Sequence, residues 1–159
     1  QLVNKKQKVL FIVFTNILHK FTKLAAKNIG LNKNSDKPDL DIMMMQDLTQ
    51  IALNRRVRFI ESLSEKQIGL LISMTAGYDH VIVDEGQDFN MMVYSEILSR
   101  LGGTHTVCVD RKQSIYSVDF DLGEVKLLYN PIDESILDFT YRNPKDILKT
   151  SMGFFINKH

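Results

Sequence analysis

The sequence has little of what characterises a secreted or a membrane-spanning protein. Cys108 is the one cysteine among 159 residues, so the chain cannot form an internal disulfide or a cysteine-based zinc site. No apolar run approaches the roughly 20 residues that cross a bilayer, and the short run Val9–Phe14 is not followed by the small residues of a signal-peptide cleavage site. We therefore expect a protein of a reducing, cytoplasmic (intracellular) compartment with no membrane partner.

An excess of charge of one sign is also missing. The 20 lysine and arginine residues nearly balance the 19 acidic residues, which leaves a net charge of +1 at neutral pH. This excludes a histone-like protein that binds nucleic acid by charge alone. The hydrophobic fraction of 44% is typical of one globular domain with a substantial core. The first residue is Gln1 rather than methionine, which suggests a piece of a longer or processed protein.

Short apolar runs alternate with helical patterns along the chain. Buried strands are predicted where the runs are continuous and bounded by polar residues, at Val9–Phe14, Val81–Val83, Thr104–Val109 and Ser135–Phe139. Helices are predicted between and after them, from Asn16 to Gly30, from Asp41 to Met74, from Asn90 to Leu101 and from Pro144 onward. Strands that alternate with helices predict an α/β fold with a parallel sheet. We expect one domain over residues 1–159, with a helical insertion at 31–76.

Polar residues follow three of the predicted strands. Thr15 and Asn16 follow the first strand, Asp84 and Glu85 follow the second, and Asp110 follows the third. In an open parallel sheet, ligands bind beyond the carboxyl ends of the strands. These polar groups are therefore predicted to converge on one edge of the sheet.

The sharpest of these segments is Val81–Asp88, where an apolar strand ends in the sequence Asp-Glu-Gly-Gln-Asp. Because such a strand holds its terminal carboxylates rigidly, Asp84 is suited to hold Mg²⁺ through the water shell of the ion. Glu85 is suited to accept a proton from an attacking water. Gln87 is suited either to sense a γ-phosphate or to relay to a neighbouring subdomain. The alternative is a strand followed by a solvated acidic turn.

Two later segments carry further candidate residues. The amide of Gln113, three residues after Asp110, can donate to a phosphate oxygen and accept from water at once, which suits a γ-phosphate sensor. In the segment 137–144, Arg142 offers a planar charged fork for a transferring phosphoryl group, and Tyr141 offers a ring that can stack on a base. The alternatives are a polar turn for Gln113 and a surface arginine beside a helix start for Arg142.

In this order, the segments resemble the motifs of UvrD/Rep-like superfamily 1 helicases. Tyr78–Phe89 (YDHVIVDEGQDF) resembles motif II, and Asp110–Tyr116 (DRKQSIY) resembles motif III, usually Gly-Asp-x-x-Gln-Ser-Ile-Tyr. Thr140–Asn143 (TYRN) resembles motif IV, and Val9–Asn16, which ends in Phe-Thr-Asn, resembles motif Ia. The resemblance spans roughly residues 8–150.

This resemblance implies a RecA-like parallel β-sheet flanked by helices, and a protein that uses ATP, Mg²⁺ and single-stranded DNA. Asp84 and Glu85 would be the magnesium and general-base carboxylates, and Gln113 would contact the γ-phosphate. Arg142 would act on the γ-phosphate, and Tyr141 would stack on adenine. The residues implied to contact the DNA strand are Phe14, Thr15, Asn16 and Tyr116.

The chain departs from the family in the phosphate-binding loop. The Walker A sequence of the family, Gly-x-x-x-x-Gly-Lys-Thr/Ser, should precede motif Ia, but Gln1–Lys8 contains no glycine. Without its backbone N–H groups and its lysine, a triphosphate has no cradle. We therefore expect a P-loop NTPase-type core that lacks its P-loop segment, and negligible ATP hydrolysis by these 159 residues alone. The second RecA-like domain is absent as well, so the remaining helicase domains would be partners in the intact protein.

Two other functions stay open at this stage. The first is a non-catalytic, helicase-like module for nucleic-acid binding or scaffolding, which would need no hydrolysis. The second is a metal-dependent nuclease that would be built on four carboxylates, those of Asp84, Glu85, Asp88 and Asp110.

Basic residues crowd one turn at Arg55, Arg56 and Arg58. Three neighbouring arginines are an electrostatic footprint for phosphate groups, so this turn is a candidate nucleic-acid contact. A solvated surface is the alternative.

Overall fold

The computed structural model describes residues 7–31, 40–110, 119–130 and 132–136. The strands are β1 (Val9–Ile12), β2 (Leu40–Met43), β3 (Tyr78–Val83) and β4 (Gly102–Val107). The helices are α1 (Asn16–Asn28), α2 (Met45–Leu53), α3 (Glu65–Thr75), α4 (Met91–Val93), α5 (Ser99–Leu101) and α6 (Leu122–Leu128). The π-helical segment Tyr94–Leu98 joins α4 to α5 in one continuous run, and single 3₁₀ turns lie at Ile60–Ser62 and Gly86–Asp88.

The four strands form one parallel sheet in the order β2-β1-β3-β4. Ile12 is paired with Val83, and Val83 is paired with Val107, so β1, β3 and β4 end at the same level. Helices connect successive strands, as parallel strands require. The predicted class, an α/β fold with a parallel sheet flanked by helices, is confirmed.

The main core lies on one face of this sheet. Leu10, Ile12, Val81 and Val83 alternate toward that face and are fully buried. The helices contribute the other large buried side chains of the same cluster, which are Leu48, Leu71, Tyr94, Ile97, Leu98 and Leu101. This packing holds β1, β3 and β4 in place and thereby determines where the residues after each strand lie.

Several elements differ from the sequence-based expectation. Leu40–Met43 is a strand, although the pattern from Asp41 onward predicts helix. The methionine-rich run has no β-branched signal beyond Ile42, and its strand conformation depends on backbone pairing with β1, which local propensity does not encode. Strand β4 begins at the double glycine and ends at Val107 rather than Val109, and helix α6 has no counterpart among the predicted elements.

The last predicted elements are mostly outside the described residues. Ser135 and Ile136 are not in a strand, while positions 137–139 of the predicted fourth strand and the predicted helix from Pro144 lie outside the described ranges. Within those ranges, no helix combines the length and the apolar character that a bilayer crossing needs.

Candidate functional site

Polar residues from three strands meet at the carboxyl edge of the sheet. Phe14-Thr15-Asn16 follows β1, Asp84-Glu85 follows β3, and Asp110 comes soon after β4. The backbone N–H of Asp84 donates to the carbonyl oxygen of Ile12 at 3.0 Å, and that of Cys108 donates to the carbonyl oxygen of Val83 at 2.9 Å. These hydrogen bonds continue the parallel pairing past the strand ends, so the polar residues that follow are neighbours in space.

At the end of β1, Thr15, one of the residues predicted to contact DNA, caps a helix. The hydroxyl oxygen of Thr15 accepts a hydrogen bond from the backbone N–H of Leu18 at 3.2 Å, and thereby caps α1. Thr15 and Asn16 are both exposed. The ring of Phe14 meets the ring of Phe89 edge to face, with 5.5 Å between ring centres. Phe14 is therefore tied to the segment that follows β3, while Asn16 is open to solvent at the start of the helix.

The residues Asp84–Asp88, which we call the acidic turn, are held by local hydrogen bonds. The Oδ1 atom of Asp84 accepts from the backbone N–H of Glu85 at 3.1 Å, and both side chains are half-buried. Glu85 has a φ of 52°, in the left-handed region that non-glycine residues seldom occupy. Such a backbone conformation costs on the order of 1 kcal/mol and persists only where the surroundings impose it. The turn is thus held in a conformation that its own sequence does not favour.

Gly86 is the residue that lets this turn pack closely. A Cβ atom at Gly86 would lie 2.6 Å from the Oη of Tyr94 and 2.7 Å from a methyl carbon of Val107. The hydroxyl of Tyr94 donates to the carbonyl oxygen of Gly86 at 2.8 Å, and the N–H of Gly86 donates to the carbonyl oxygen of Cys108 at 2.8 Å. The turn is therefore clamped between β4 and the helical run that carries Tyr94. Sequence reasoning assigned no role to Gly86, although a glycine between two functional side chains at a strand end was the available signal.

Gln87 joins two of the strand ends through its side chain. It is 1% exposed, its Nε2 donates to the Oε2 of Glu85 at 2.6 Å, and its Oε1 accepts from the backbone N–H of Asp110 at 2.9 Å. Both ends of the amide are thus occupied by protein groups. This arrangement corresponds to a link between the acidic turn and the segment after β4, and not to a group that faces solvent.

Asp88 is the least favourably placed carboxylate of the turn. Its Oδ1 is buried and has no hydrogen-bond partner among the described residues. Burial raises the pKa of this carboxyl, and the neighbouring charge of Glu85 raises it further. The described residues include no group of three or more His, Cys, Asp or Glu side chains that could hold a metal ion. The four carboxylates named for a nuclease are therefore not assembled as a metal-binding cluster.

Four of the predicted site residues fall in the remaining parts of the chain. Gln113, Tyr116, Tyr141 and Arg142 lie outside the described residues. Of the predicted site, the structure brings together the strand ends that carry Asp84, Glu85, Gln87 and Phe14–Asn16.

A second group of polar residues at this edge, His19, Asp47 and Arg56, was not predicted from the sequence to lie together. The backbone N–H of His19 donates to the carbonyl oxygen of Thr15 at 2.9 Å, and the Nε2 of His19 lies 2.9 Å from the carbonyl oxygen of Ile42 and 3.8 Å from the Oδ2 of Asp47. The other carboxylate oxygen of Asp47 accepts from the Nη2 of Arg56 at 2.7 Å. The first turn of α1 is thus connected to the turn that contains the three arginines.

Comparison with known proteins now adds to this geometry. The family model of the UvrD/REP helicase N-terminal domain matches residues 4–130, which include all four strands and the acidic turn. No curated protein and no solved structure matches the chain. The family match covers well over half of the 159 residues, which is enough to establish membership of the family. The chain belongs to the UvrD/REP helicase N-terminal domain family.

Proposed function

We propose that this chain is part of an ATP-dependent DNA helicase or translocase, to which it contributes residues for Mg-ATP hydrolysis and for contact with single-stranded DNA. The observation that carries the proposal is the in-register ending of β1, β3 and β4, with Gln87 joining Glu85 to the backbone of Asp110. The side chain of Gln87 thereby links the end of β3 to the segment that follows β4. Such a link is what a protein needs if events at a nucleotide are to alter contacts with a DNA strand.

The acidic turn supplies the groups that such a nucleotide site requires. Asp84 presents a half-buried carboxylate at the end of a rigid strand, and Mg²⁺ in nucleotide sites takes one or two carboxylates and keeps several waters. Asp84 would therefore hold the magnesium ion through its water shell. ATP supplies the phosphoryl group that is transferred to water in the intact protein.

Glu85 is oriented for proton transfer. Its Oε2 is held by Gln87, while its Oε1 has no hydrogen-bond partner within the described part of the chain. With one oxygen fixed in this way, the carboxylate would accept a proton on its other oxygen from a water that attacks the terminal phosphate. Gln87 would act through Glu85 as a positioning residue, because its amide holds the Oε2 of that carboxylate.

The remaining roles are carried over from the family resemblance. Gln113 and Arg142 would contact the γ-phosphate, and Tyr141 would stack on adenine. Asn16, exposed at the start of α1, would contact the DNA strand together with Phe14, Thr15 and Tyr116. We further propose an intracellular protein in which residues 1–159 form a single RecA-like domain, with 31–76 as an insertion that is largely helical.

Metal binding by the acidic turn can be measured without any turnover. Mn²⁺ is a paramagnetic substitute for Mg²⁺, and it should broaden the amide NMR signals of residues 84–88 and 13–16 in the 159-residue chain. Asp84→Asn should abolish this local broadening, whereas Asp133→Asn, a change at an exposed carboxylate, should leave it intact. Broadening that is unchanged in Asp84→Asn would show that the magnesium assignment is wrong.

Hydrolysis is the second test, and here we expect a negative result. Because the 159 residues contain no Walker A sequence, the chain alone should release phosphate from ATP no faster than the Glu85→Gln variant, with or without single-stranded DNA. Robust turnover by the unmodified chain would contradict this expectation. A chain that binds single-stranded DNA but shows no local Mn²⁺ effect would instead support the non-catalytic, scaffolding alternative.

A further inference from the structure

The segment Asn54–Phe59, which we call the basic segment, presents its charged and aromatic side chains to solvent. Asn54 ends α2 with a φ of 53°, a left-handed conformation that turns the chain away from the helix axis. Arg55, Arg56 and Arg58 are exposed, and Phe59 is 65% exposed. The segment therefore places a mostly exposed phenylalanine beside three exposed arginines.

Two buried side chains anchor the basic segment to the core. Val57 is 8% exposed and its backbone N–H donates to the buried hydroxyl of Thr49 at 3.0 Å, while Ile60, just after the segment, is 6% exposed. The residues between and beside these anchors therefore project outward from a fixed backbone. A ring presented in this way loses little conformational freedom when it receives a ligand.

The basic segment lies at the same edge of the sheet as the strand ends. On one side, the hydrogen-bonded series from Thr15 through His19 and Asp47 reaches Arg56. On the other side, the Nδ2 of Asn90 donates to the Oε1 of Glu61 at 2.8 Å. Asn90 follows Phe89, whose ring contacts Phe14. The first route connects Arg56 to the first turn of α1, and the second connects Glu61, two residues after the basic segment, to the residues that contact Phe14.

The charges of the basic segment are only partly neutralised. Arg56 is paired with Asp47, but Arg55 and Arg58 form no salt bridge with any described residue. The guanidinium carbon of Arg58 lies 5.5 Å from the centre of the Phe59 ring. An exposed ring beside the guanidinium group of Arg58, with Arg55 four residues before it, has the two properties that single-stranded nucleic acid requires, a stacking surface for a base and cations for the phosphates.

We propose that the basic segment is a second contact site for single-stranded nucleic acid, with Phe59 stacking on a base and with Arg55 and Arg58 contacting phosphates. It extends the surface that begins at Thr15 and Asn16, and it rests on the single-strand contact in the proposed function. Duplex DNA is not the expected ligand, because paired bases do not present a face to an exposed ring.

The test measures binding of the full 159-residue chain to fluorescently labelled single strands of about 16 nucleotides. Phe59→Leu keeps an apolar side chain but removes the ring, and it should weaken binding of oligo-dT by roughly tenfold or more. Phe59→Tyr keeps the ring and should bind within about twofold of the parent chain. Because Phe59 is mostly exposed, both variants should unfold at the same temperature as the parent.

Charge removal gives a second, independent measurement. Arg55→Gln and Arg58→Gln should each reduce the slope of log affinity against log salt concentration by about 0.7. Lys27→Gln is the matched control, since Lys27 is exposed at the far end of α1, about 16 Å along the helix from Asn16. The control should leave that slope unchanged.

Three results would overturn the proposal, and they differ in whether they also reject the proposed function. Unchanged oligo-dT binding by Phe59→Leu, with weakened binding by Asn16→Ala, would reject the basic segment and leave the proposed function standing. Equal affinity for a duplex of the same length would reject base stacking by Phe59. No binding of any single strand by the parent chain would reject both this site and the DNA contact in the proposed function. Parallel measurements with oligo-U determine whether the strand is DNA, RNA or either.

Discussion

The acidic turn and the basic segment lie at the same edge of the sheet, but they are held in opposite ways. In the acidic turn, Gly86 and Gln87 are buried and the side chain of Gln87 bonds to groups on both sides. In the basic segment, the backbone is anchored by Val57 while its arginines and Phe59 remain exposed. The difference is consistent with the two tasks that we propose. Proton transfer and metal binding require fixed geometry, whereas contact with a flexible strand requires accessible side chains on a fixed support.

The largest effect should come from adding a side chain at Gly86, where there is no room for one. Gly86→Ala should lower the free energy of unfolding by about 3 kcal/mol, because the new Cβ would overlap the hydroxyl of Tyr94 and a methyl of Val107. Gly69→Ala is the matched control, since nothing lies within 4 Å of a Cβ there and the residue is inside α3. Alanine at that helical position should stabilise by about 0.5–1 kcal/mol. Urea unfolding followed by circular dichroism measures both, and equal effects would contradict the close packing of the turn.

Removing the amide of Gln87 should have the next largest effect. Gln87→Met keeps a side chain of similar length but leaves the N–H of Asp110 and the Oε2 of Glu85 without their partner, which should cost about 2 kcal/mol. Gln50→Met, on the exposed face of α2, should change stability by no more than about 0.5 kcal/mol. If the two variants are equally stable in urea unfolding, the link between the strand ends does not contribute to the free energy of unfolding.

The acidic turn should also respond to pH through Asp88. Its folded-state pKa is raised by burial and by Glu85, so its ionised form disfavours the folded state and stability falls as pH rises through that pKa. Asp88→Asn lacks this ionisation. The variant should be more stable than the parent at pH 7, and the advantage should shrink toward the ordinary carboxyl pKa of 3.8. A pH-independent difference between the two proteins in thermal unfolding would show that the buried charge is not its cause.

The smallest stability effects are expected in the basic segment. Arg56→Gln removes an exposed ion pair with Asp47 and should cost about 0.5 kcal/mol or less, an effect that added salt should diminish. Arg55→Gln removes no pair within the described chain and should be neutral. A loss of stability in Arg55→Gln as large as that in Gln87→Met would mean that the basic segment is structural.

Much of the fold was predictable because local patterns and tertiary structure agree. The apolar runs before Thr15 and Asp84 contain β1 and the end of β3, and the helix predicted from Asn16 is α1. Strand β2 could not be predicted, because a short run centred on Ile42 becomes a strand only through its pairing with β1. Local propensity is weakest where a neighbouring strand supplies the hydrogen bonds.

The candidate site also has a part that the sequence predicted and a part that it did not. The apolar strand before Asp84 predicted that Asp84 and Glu85 follow a strand end, which the structure confirms. The sequence left open whether Gln87 senses a phosphate or relays to a neighbouring subdomain, and it did not predict that the buried amide joins Glu85 to the backbone of Asp110. The direction of a buried amide depends on which partners surround it.

The order of residues along the chain therefore determined which chemical groups this protein has, roughly where three of its four described strands lie and to which family it belongs. The tertiary structure decided the left-handed conformation at Glu85, the contact of Gly86 with Tyr94 and the ion pair of Arg56 with Asp47. The physical reason is that strand ends and helix turns distant in sequence become neighbours only when the sheet pairs and the core packs. Contacts of that kind have no local signal in the chain.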